Sequence, residues 1–152
     1  MSLQSVRAFF AQHAPDISVI ELDVSTATVD MAAAGHGVEP GQIAKTLAIR
    51  VGDETVLVVA GGRARLDNKK FKAIFSAKPR MLPLDEVEAV TGHPVGGVCP
   101  FGLARPLRIF CDVSLRAYDE VVPAAGATHA AVRIAPDRMA ILTNAEWIDV
   151  CE

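Results

Sequence analysis

The chain has 152 residues, of which 51% are hydrophobic and 5% aromatic. That is enough to bury one sizeable core and short of what two independent domains need, so a single domain over residues 1–152 is expected. The formal net charge of −3 excludes a protein that coats nucleic acid through many nonspecific phosphate contacts, yet leaves room for a local basic patch.

In chain order, Leu3, Val6, Phe9 and Phe10 recur at helical spacing and predict an amphipathic helix from Leu3 to His13, stopped before Pro15. Ile17 to Leu22 is expected as a strand. Thr28 fits the N-cap of a helix over Val29 to Ala34, ended by Gly35 and Gly37, and another short helix is expected near Pro40. Ile43 to Val51 and Thr55 to Ala60 are β-rich runs separated by Gly52 and Asp53, the pattern of a hairpin. Leu66 to Phe75 is predicted helical, with Phe71, Ile74 and Phe75 inward and Lys69, Lys70 and Lys72 outward. A short helix is expected over Pro83 to Val90.

The stretch Thr91 to Gly102 packs four glycines and two prolines into twelve residues and is predicted to be a shaped loop. Leu107 to Cys111, Glu120 to Val122 and Ala130 to Ile134 are expected as strands, followed by a helix after Pro136 and a last strand from Trp147 to Cys151. Strands and helices mix without strict βαβ alternation, which favours an α+β fold with a mixed sheet or partly closed barrel over a doubly wound one.

No window approaches the ~18 apolar residues of a membrane span, and the first residues lack a secretory pattern. The three cysteines, Cys99, Cys111 and Cys151, form no CxxC pair, and the four histidines lie apart. Reduced thiols, a cytoplasmic location and no metal site are the expectation.

Lys45 is the most informative single residue. It sits inside an apolar strand and shares a face with Ile43, Leu47 and Ile49. Burying an unpaired ammonium is costly, so such a lysine meets an anion, a carbonyl or a wet pocket, or else snorkels from an edge strand. In Gly96-Gly97-Val98-Cys99-Pro100, glycines would let backbone groups approach a ligand, or simply make a tight turn. Cys99 invites a thiol-nucleophile reading with His93 or His129 as base, against a structural one. Thr128 and His129 could project into a pocket from the mouth of the following strand. Arg63, Arg65, Lys69, Lys70, Lys72, Lys78 and Arg80 face a single acid, Asp67, within their stretch.

In their order and spacing, several segments resemble the YbaK and prolyl-tRNA synthetase editing-domain family. They are Gln42-Ile-Ala-Lys-Thr-Leu47, Gly61-Gly-Arg-Ala-Arg-Leu-Asp67 with Lys69 and Lys70, Thr91-Gly92, Gly96-Gly-Val-Cys-Pro-Phe-Gly102 and Ala125-Gly126. The resemblance implies an α+β fold with a mixed, partly closed, barrel-like sheet and flanking helices. It also implies hydrolysis of an amino acid wrongly esterified to tRNA, with no cofactor. Lys45 takes the place of the family's deacylation lysine, and Gly96 to Pro100 that of the loop holding the terminal adenosine. Further substrate contacts are expected from Ile20, Thr28, Val29, Gly102, Thr128 and His129. Arg63, Arg65, Lys69 and Lys70 are expected to contact tRNA, with a synthetase as a possible second partner and neither membrane nor DNA involved. The Ala-rich segment around His129 lacks the polar pattern of the Cys-specific branch and leans towards alanine on tRNA(Pro). A non-catalytic nucleotide-binding or tRNA-binding module and a Cys99-dependent thiol esterase are the alternatives.

Overall fold

The computed structural model describes residues 2–152. Helix α1 (Ser2–His13) turns Val6 and Phe10 into the core, and β1 (Ile20–Glu21) follows. Helix α2 (Val29–His36) starts where the Thr28 hydroxyl accepts a hydrogen bond from the Met31 amide. It ends on Gly37 in the left-handed region, φ 68°. A 3-10 turn, Pro40–Gln42, leads into the hairpin of β2 (Ile43–Val51) and β3 (Glu54–Gly61), in register from Ala44 opposite Gly61 to Val51 opposite Glu54.

Helix α3 (Asn68–Phe75) begins after Asp67, whose carboxylate accepts from the amides of Lys69 and Lys70. Next come β4 (Arg80–Met81), α4 (Leu84–Thr91) and β5 (Arg108–Asp112). A second 3-10 turn (Val113–Ala117), β6 (Val122–Pro123), β7 (Ala130–Ala131), α5 (Pro136–Thr143) and β8 (Glu146–Ile148) complete the chain.

The main sheet runs β4-β2-β3-β5-β8, with β6 also on β2. β3 pairs with β5 and β5 with β8 in parallel, whereas β2, β3 and β4 are antiparallel, so the sheet is mixed. β1 and β7 form a separate antiparallel pair, tied to the β6 end by a bridge between Ala124 and Ala131. Among the described residues no ladder joins the outermost strands, so the sheet wraps without closing.

Along the edge of β2 away from β3, two short strands leave a gap. β6 pairs with Ile43 and Ala44, and β4 with Ile49 and Arg50. Between them Lys45, Thr46 and Leu47 have no ladder partner on that edge among the described residues.

Alternation along the hairpin divides the core. Ala44, Ala48, Leu57 and Val59 pack with Val6, Phe10, Val87 and Met139 from α1, α4 and α5. Ile49, Val56, Val58 and Ala60 pack with Phe71 and Phe110 under α3. Asp112, 1% exposed, ties the end of β5 down, its carboxylate accepting from the Ser114 amide at 2.9 Å and the Val150 amide at 2.8 Å.

Several elements differ from the sequence expectation. The strands expected over 17–22 and 130–134 shrink to the two-residue pair β1 and β7. The last strand shifts to Glu146–Ile148, leaving a single bridge between Leu66 and Cys151. α3 starts after Asp67, whose carboxylate is spent on capping. Ile74 is not inward but 44% exposed; buried Phe71 and partly buried Phe75, one turn apart, make the inward stripe, with Phe75 edge-on to Phe110 at 4.9 Å. No helix among the described residues is long and apolar enough to cross a membrane.

Candidate active site

A cavity of about 400 Å³ opens at the unpaired edge of β2. Its walls come from the start of α2 (Thr26 to Val29 and Ala32), from β2 (Ile43 to Thr46 and Ala48), from α4 and its approach (Leu82, Val87), and from Ala124, Ala130 and Ala131. Val95, Gly96 and Val98 of the glycine loop close one side. Exposed Met81, Leu84 and Val95 make its outer part apolar. Small aliphatic side chains dominate, a lining that selects by size and holds little water.

Polar groups in this wall are mostly spoken for. The Thr26 hydroxyl donates to the Thr128 carbonyl, and that of Thr28 caps α2. The Thr46 hydroxyl is occluded and has no partner among the described residues.

Lys45 is different. Its Nζ donates to the carbonyl of Ala64 at 2.5 Å and of Gly62 at 3.4 Å. An ammonium has three N–H donors, and the third has no partner among the described residues. Burial pushes Lys45 below the usual lysine range; the Cys151 thiol acts weakly upward and the nearby charge of Arg65 downward. The strand face expected from alternation is thus the one observed, and carbonyls of the loop after β3 take the place of an anion.

The glycine loop has a packing logic of its own. Gly96 has φ 89°, and a Cβ there would lie 2.9 Å from that of Ala27. A Cβ on Gly97 would meet the backbone of Ala127 at 2.7–2.9 Å, and the Gly97 carbonyl accepts from the Gly126 amide at 3.0 Å. Close approach to residues 126–128 therefore demands both glycines. Cys99 is fully buried, and that burial pushes its thiol up to about 12. Such a thiol holds almost no thiolate near neutrality. His93 approaches it at 3.5 Å, but the same ring nitrogen meets the Phe101 carbonyl at 2.7 Å.

The structure gathers Lys45, Thr28, Val29, Gly96 and Val98 around the cavity. Gly97, Cys99 and Pro100 are placed behind the loop, away from the cavity wall, and Gly102 packs on Ser5. Thr128 stands just behind Gly96, its methyl 3.3 Å from where a Cβ would sit. Ile20 and His129 lie outside the cavity wall: Ile20 borders a separate groove with Asp16 and Arg138, and His129 pairs with Glu21 at 3.1 Å.

Of the basic residues, Arg63 pairs with Asp30 at 3.3 Å and Lys70 with Asp149 at 3.0 Å. Arg65 and Lys69 meet no carboxylate among the described residues. Ala32, Ala124, Ala130, Ala131 and Leu82 joined the site without any sequence signal, because only the parting of β4 and β6 exposes them. No three His, Cys, Asp or Glu side chains converge among the described residues.

A mixed sheet, a half-buried lysine on its central hairpin and an apolar cavity closed by a glycine loop define an α+β pocket domain. Residues 23–141 match the family model described as the aminoacyl-tRNA editing domain, and the chain belongs to that family.

The chain is 44% identical to YwhH of Bacillus subtilis, named an uncharacterized protein, over all of this chain and 98% of that one. It is 33% identical to EbsC of Enterococcus faecalis, provisionally named a Cys-tRNA(Pro)/Cys-tRNA(Cys) deacylase, over 75% of this chain and 71% of that one. A Bacillus licheniformis proline–tRNA ligase is 29% identical over 68% of this chain but only 18% of the ligase. A crystal structure provisionally named as a trans-editing enzyme for prolyl tRNA synthetase superposes with a TM-score of 0.91 at 33% identity, covering 99% of this chain and 97% of that one.

Proposed function

We propose that this protein is a trans-acting aminoacyl-tRNA deacylase, hydrolysing the ester of a mischarged tRNA. The observation that carries the reading is Lys45: a half-buried ammonium held by two carbonyls at the wall of an apolar cavity, with one donor to spare. An aminoacyl ester is already activated, so catalysis needs a positioned water and a stabilised oxyanion more than a strong nucleophile.

In this reading the amino-acid side chain enters the aliphatic cavity, and the backbone of Gly96 to Val98 steadies the ribose end. The free Lys45 donor binds the ester carbonyl or an adjacent phosphate. Water attacks the carbonyl carbon, the ester C–O bond breaks, and a proton passes to the ribose oxygen. The neighbouring ribose hydroxyl orients that water, so no covalent enzyme intermediate is needed.

The alanine-rich wall, with Ala32, Ala44, Ala124, Ala130 and Ala131, suits a small amino acid such as alanine or cysteine, carried on tRNA(Pro). With His129 outside the wall, the lean towards alanine rests on these small side chains. Arg65 and Lys69 would meet the acceptor end. Such a protein works where tRNA is charged, in the cytoplasm, and a synthetase is a natural companion. A thiol esterase centred on Cys99 is disfavoured by the complete burial of that thiol.

The test is a panel of mischarged tRNAs with wild-type protein and Lys45→Ala. Loss of ~10²- to 10³-fold in rate in the folded variant is expected, the usual effect of removing one oxyanion donor. A folded Lys45→Ala with wild-type rates would remove Lys45 from the mechanism, and a wild type that binds tRNA and hydrolyses nothing would make the domain a binding module.

A further inference from the structure

His93 is buried completely, and the hydrolysis proposed for Lys45 makes no use of it. It stands at the start of the glycine loop, where the Thr91 hydroxyl accepts from its amide at 3.1 Å. Its ring reaches across the loop: Nε2 lies 2.7 Å from the carbonyl of Phe101, and Nδ1 lies 2.6 Å from the hydroxyl of Ser2 in α1. The residues of the loop that wall the cavity, Val95, Gly96 and Val98, lie in the chain between His93 and Phe101. One imidazole therefore closes the chord of the loop and fastens it to α1.

We propose that His93 is a positioning residue for deacylation, its two ring nitrogens holding the Val95 to Val98 segment at the distance from Lys45 that the reaction needs. The proposal rests on the reading of the cavity as a deacylase site.

Proton counting supports more than a packing role. The Phe101 carbonyl can only accept, so Nε2 carries a hydrogen. The Ser2 hydroxyl has one proton but two acceptors in reach, His93 Nδ1 and the Gly126 carbonyl. With a neutral ring, one of those contacts goes unmade. With an imidazolium, Nδ1 donates to Ser2 and Ser2 donates to Gly126, the residue whose amide binds the Gly97 carbonyl.

The groups on the ring nitrogens are the Ser2 hydroxyl, the Cys99 thiol and the Phe101 carbonyl, with the Gly126 carbonyl beyond Ser2 and the Thr91 hydroxyl on the His93 backbone. None of them is charged near neutrality. Burial holds the ring below the usual histidine range and the Phe101 bond acts in the opposite sense. The fully bonded clasp is thus the acid form.

The experiment compares wild type, His93→Phe, His93→Gln and Ser2→Ala on a mischarged tRNA that wild type hydrolyses. Readouts are kcat, KM, the pH profile and amide exchange of the loop. His93→Phe keeps a ring without its nitrogens; a ~10- to 100-fold fall in kcat is expected, the scale of a misplacement of about 1 Å, with KM little changed. Its loop amides should exchange faster, and the fall in wild-type kcat as pH rises through the lowered His93 pKa should vanish. His93→Gln, with a donor and an acceptor, should recover part of kcat. Ser2→Ala removes the hydroxyl that meets Nδ1 and the Gly126 carbonyl and should lower kcat by about threefold, the worth of one ordinary hydrogen bond.

Full kcat in folded His93→Phe, or unchanged loop exchange, overturns the proposal. So does equal loss in His93→Phe and His93→Gln matched by equal loss of stability, which marks a structural role only. Wild type that deacylates nothing overturns the reading of the site instead.

Discussion

The Lys45 ammonium lies 2.5 Å from the Ala64 carbonyl, so the loop that leaves β3 grips the one cation in the cavity wall among the described residues. Gly62, the second acceptor, can sit there only as glycine, because a Cβ would run into the Pro40 carbonyl and the Val29 side chain. The loop after the hairpin, the 3-10 turn and the start of α2 are locked together around this lysine.

Deacylation should depend on pH through that ammonium. The donor role needs the charged form, and burial lowers Lys45 from its ordinary value of 10.5. The Lys45-dependent part of the rate should be full at neutral pH and fall as pH rises through that lowered pKa, before an ordinary lysine would titrate. The measurement is the difference in deacylation rate between wild type and Lys45→Ala across the alkaline range, which cancels spontaneous ester hydrolysis. A difference that stays level into the range where an ordinary lysine is neutral would remove the ammonium from the mechanism.

Cavity size should govern substrate choice. Ala32 is 8% exposed and faces the cavity from α2. Leucine is a good helix former, so Ala32→Leu should keep α2 while filling the space. It should lower kcat/KM at least about tenfold for the bulkier of two aminoacyl groups, the scale of one or two misfitting methylenes, and less for the smaller. Equal effects on both would place the amino-acid side chain elsewhere.

Local chemistry was legible in the sequence wherever a single residue decides the outcome. Thr28 caps α2, Gly52 with φ 61° turns the hairpin, and the position of Lys45 within β2 follows from strand alternation. What escaped was long-range. β4 and β6 are two residues each, too short to carry a periodicity, yet their separation along β2 makes the cavity. Ile20 and His129 looked like neighbours of Thr28 and Val29 because all flank the same short strands. Instead the antiparallel pairing of Glu21 with Ala130 turns them towards Arg138 and Glu21. The glycines of the loop read as ligand contacts, whereas Gly97 answers first to the backbone of Ala127.

Stability should depend on Asp112 far more than on any surface ion pair. Its two backbone acceptor bonds join the end of β5, the second 3-10 turn and Val150, and the residue is 1% exposed. Asp112→Ala leaves a buried amide unpaired and should cost about 2–4 kcal/mol. Asp112→Asn, which keeps one acceptor, should cost less. Urea denaturation reads this as a lower midpoint at an unchanged slope. By contrast, removing the exposed Arg108–Glu54 pair should cost about 0–1 kcal/mol.

The basic stretch should reveal itself through salt. Removing one cation that touches a phosphate lowers the slope of log K against log salt by about 0.7–0.9. The four cations are not equivalent: Arg63 and Lys70 are partly neutralised by Asp30 and Asp149, whereas Arg65 and Lys69 meet no carboxylate among the described residues. Arg65→Ala and Lys69→Ala should therefore weaken tRNA binding and flatten its salt dependence more than Arg63→Ala or Lys70→Ala. Because the Ala64 and Gly62 carbonyls hold Lys45 through backbone atoms, the Arg65 change should leave kcat at saturating tRNA nearly intact while raising KM. A kcat loss as large as that of Lys45→Ala would instead mean that Arg65 acts on the ester itself; an unchanged salt slope in all four variants would move the tRNA to another face of the protein.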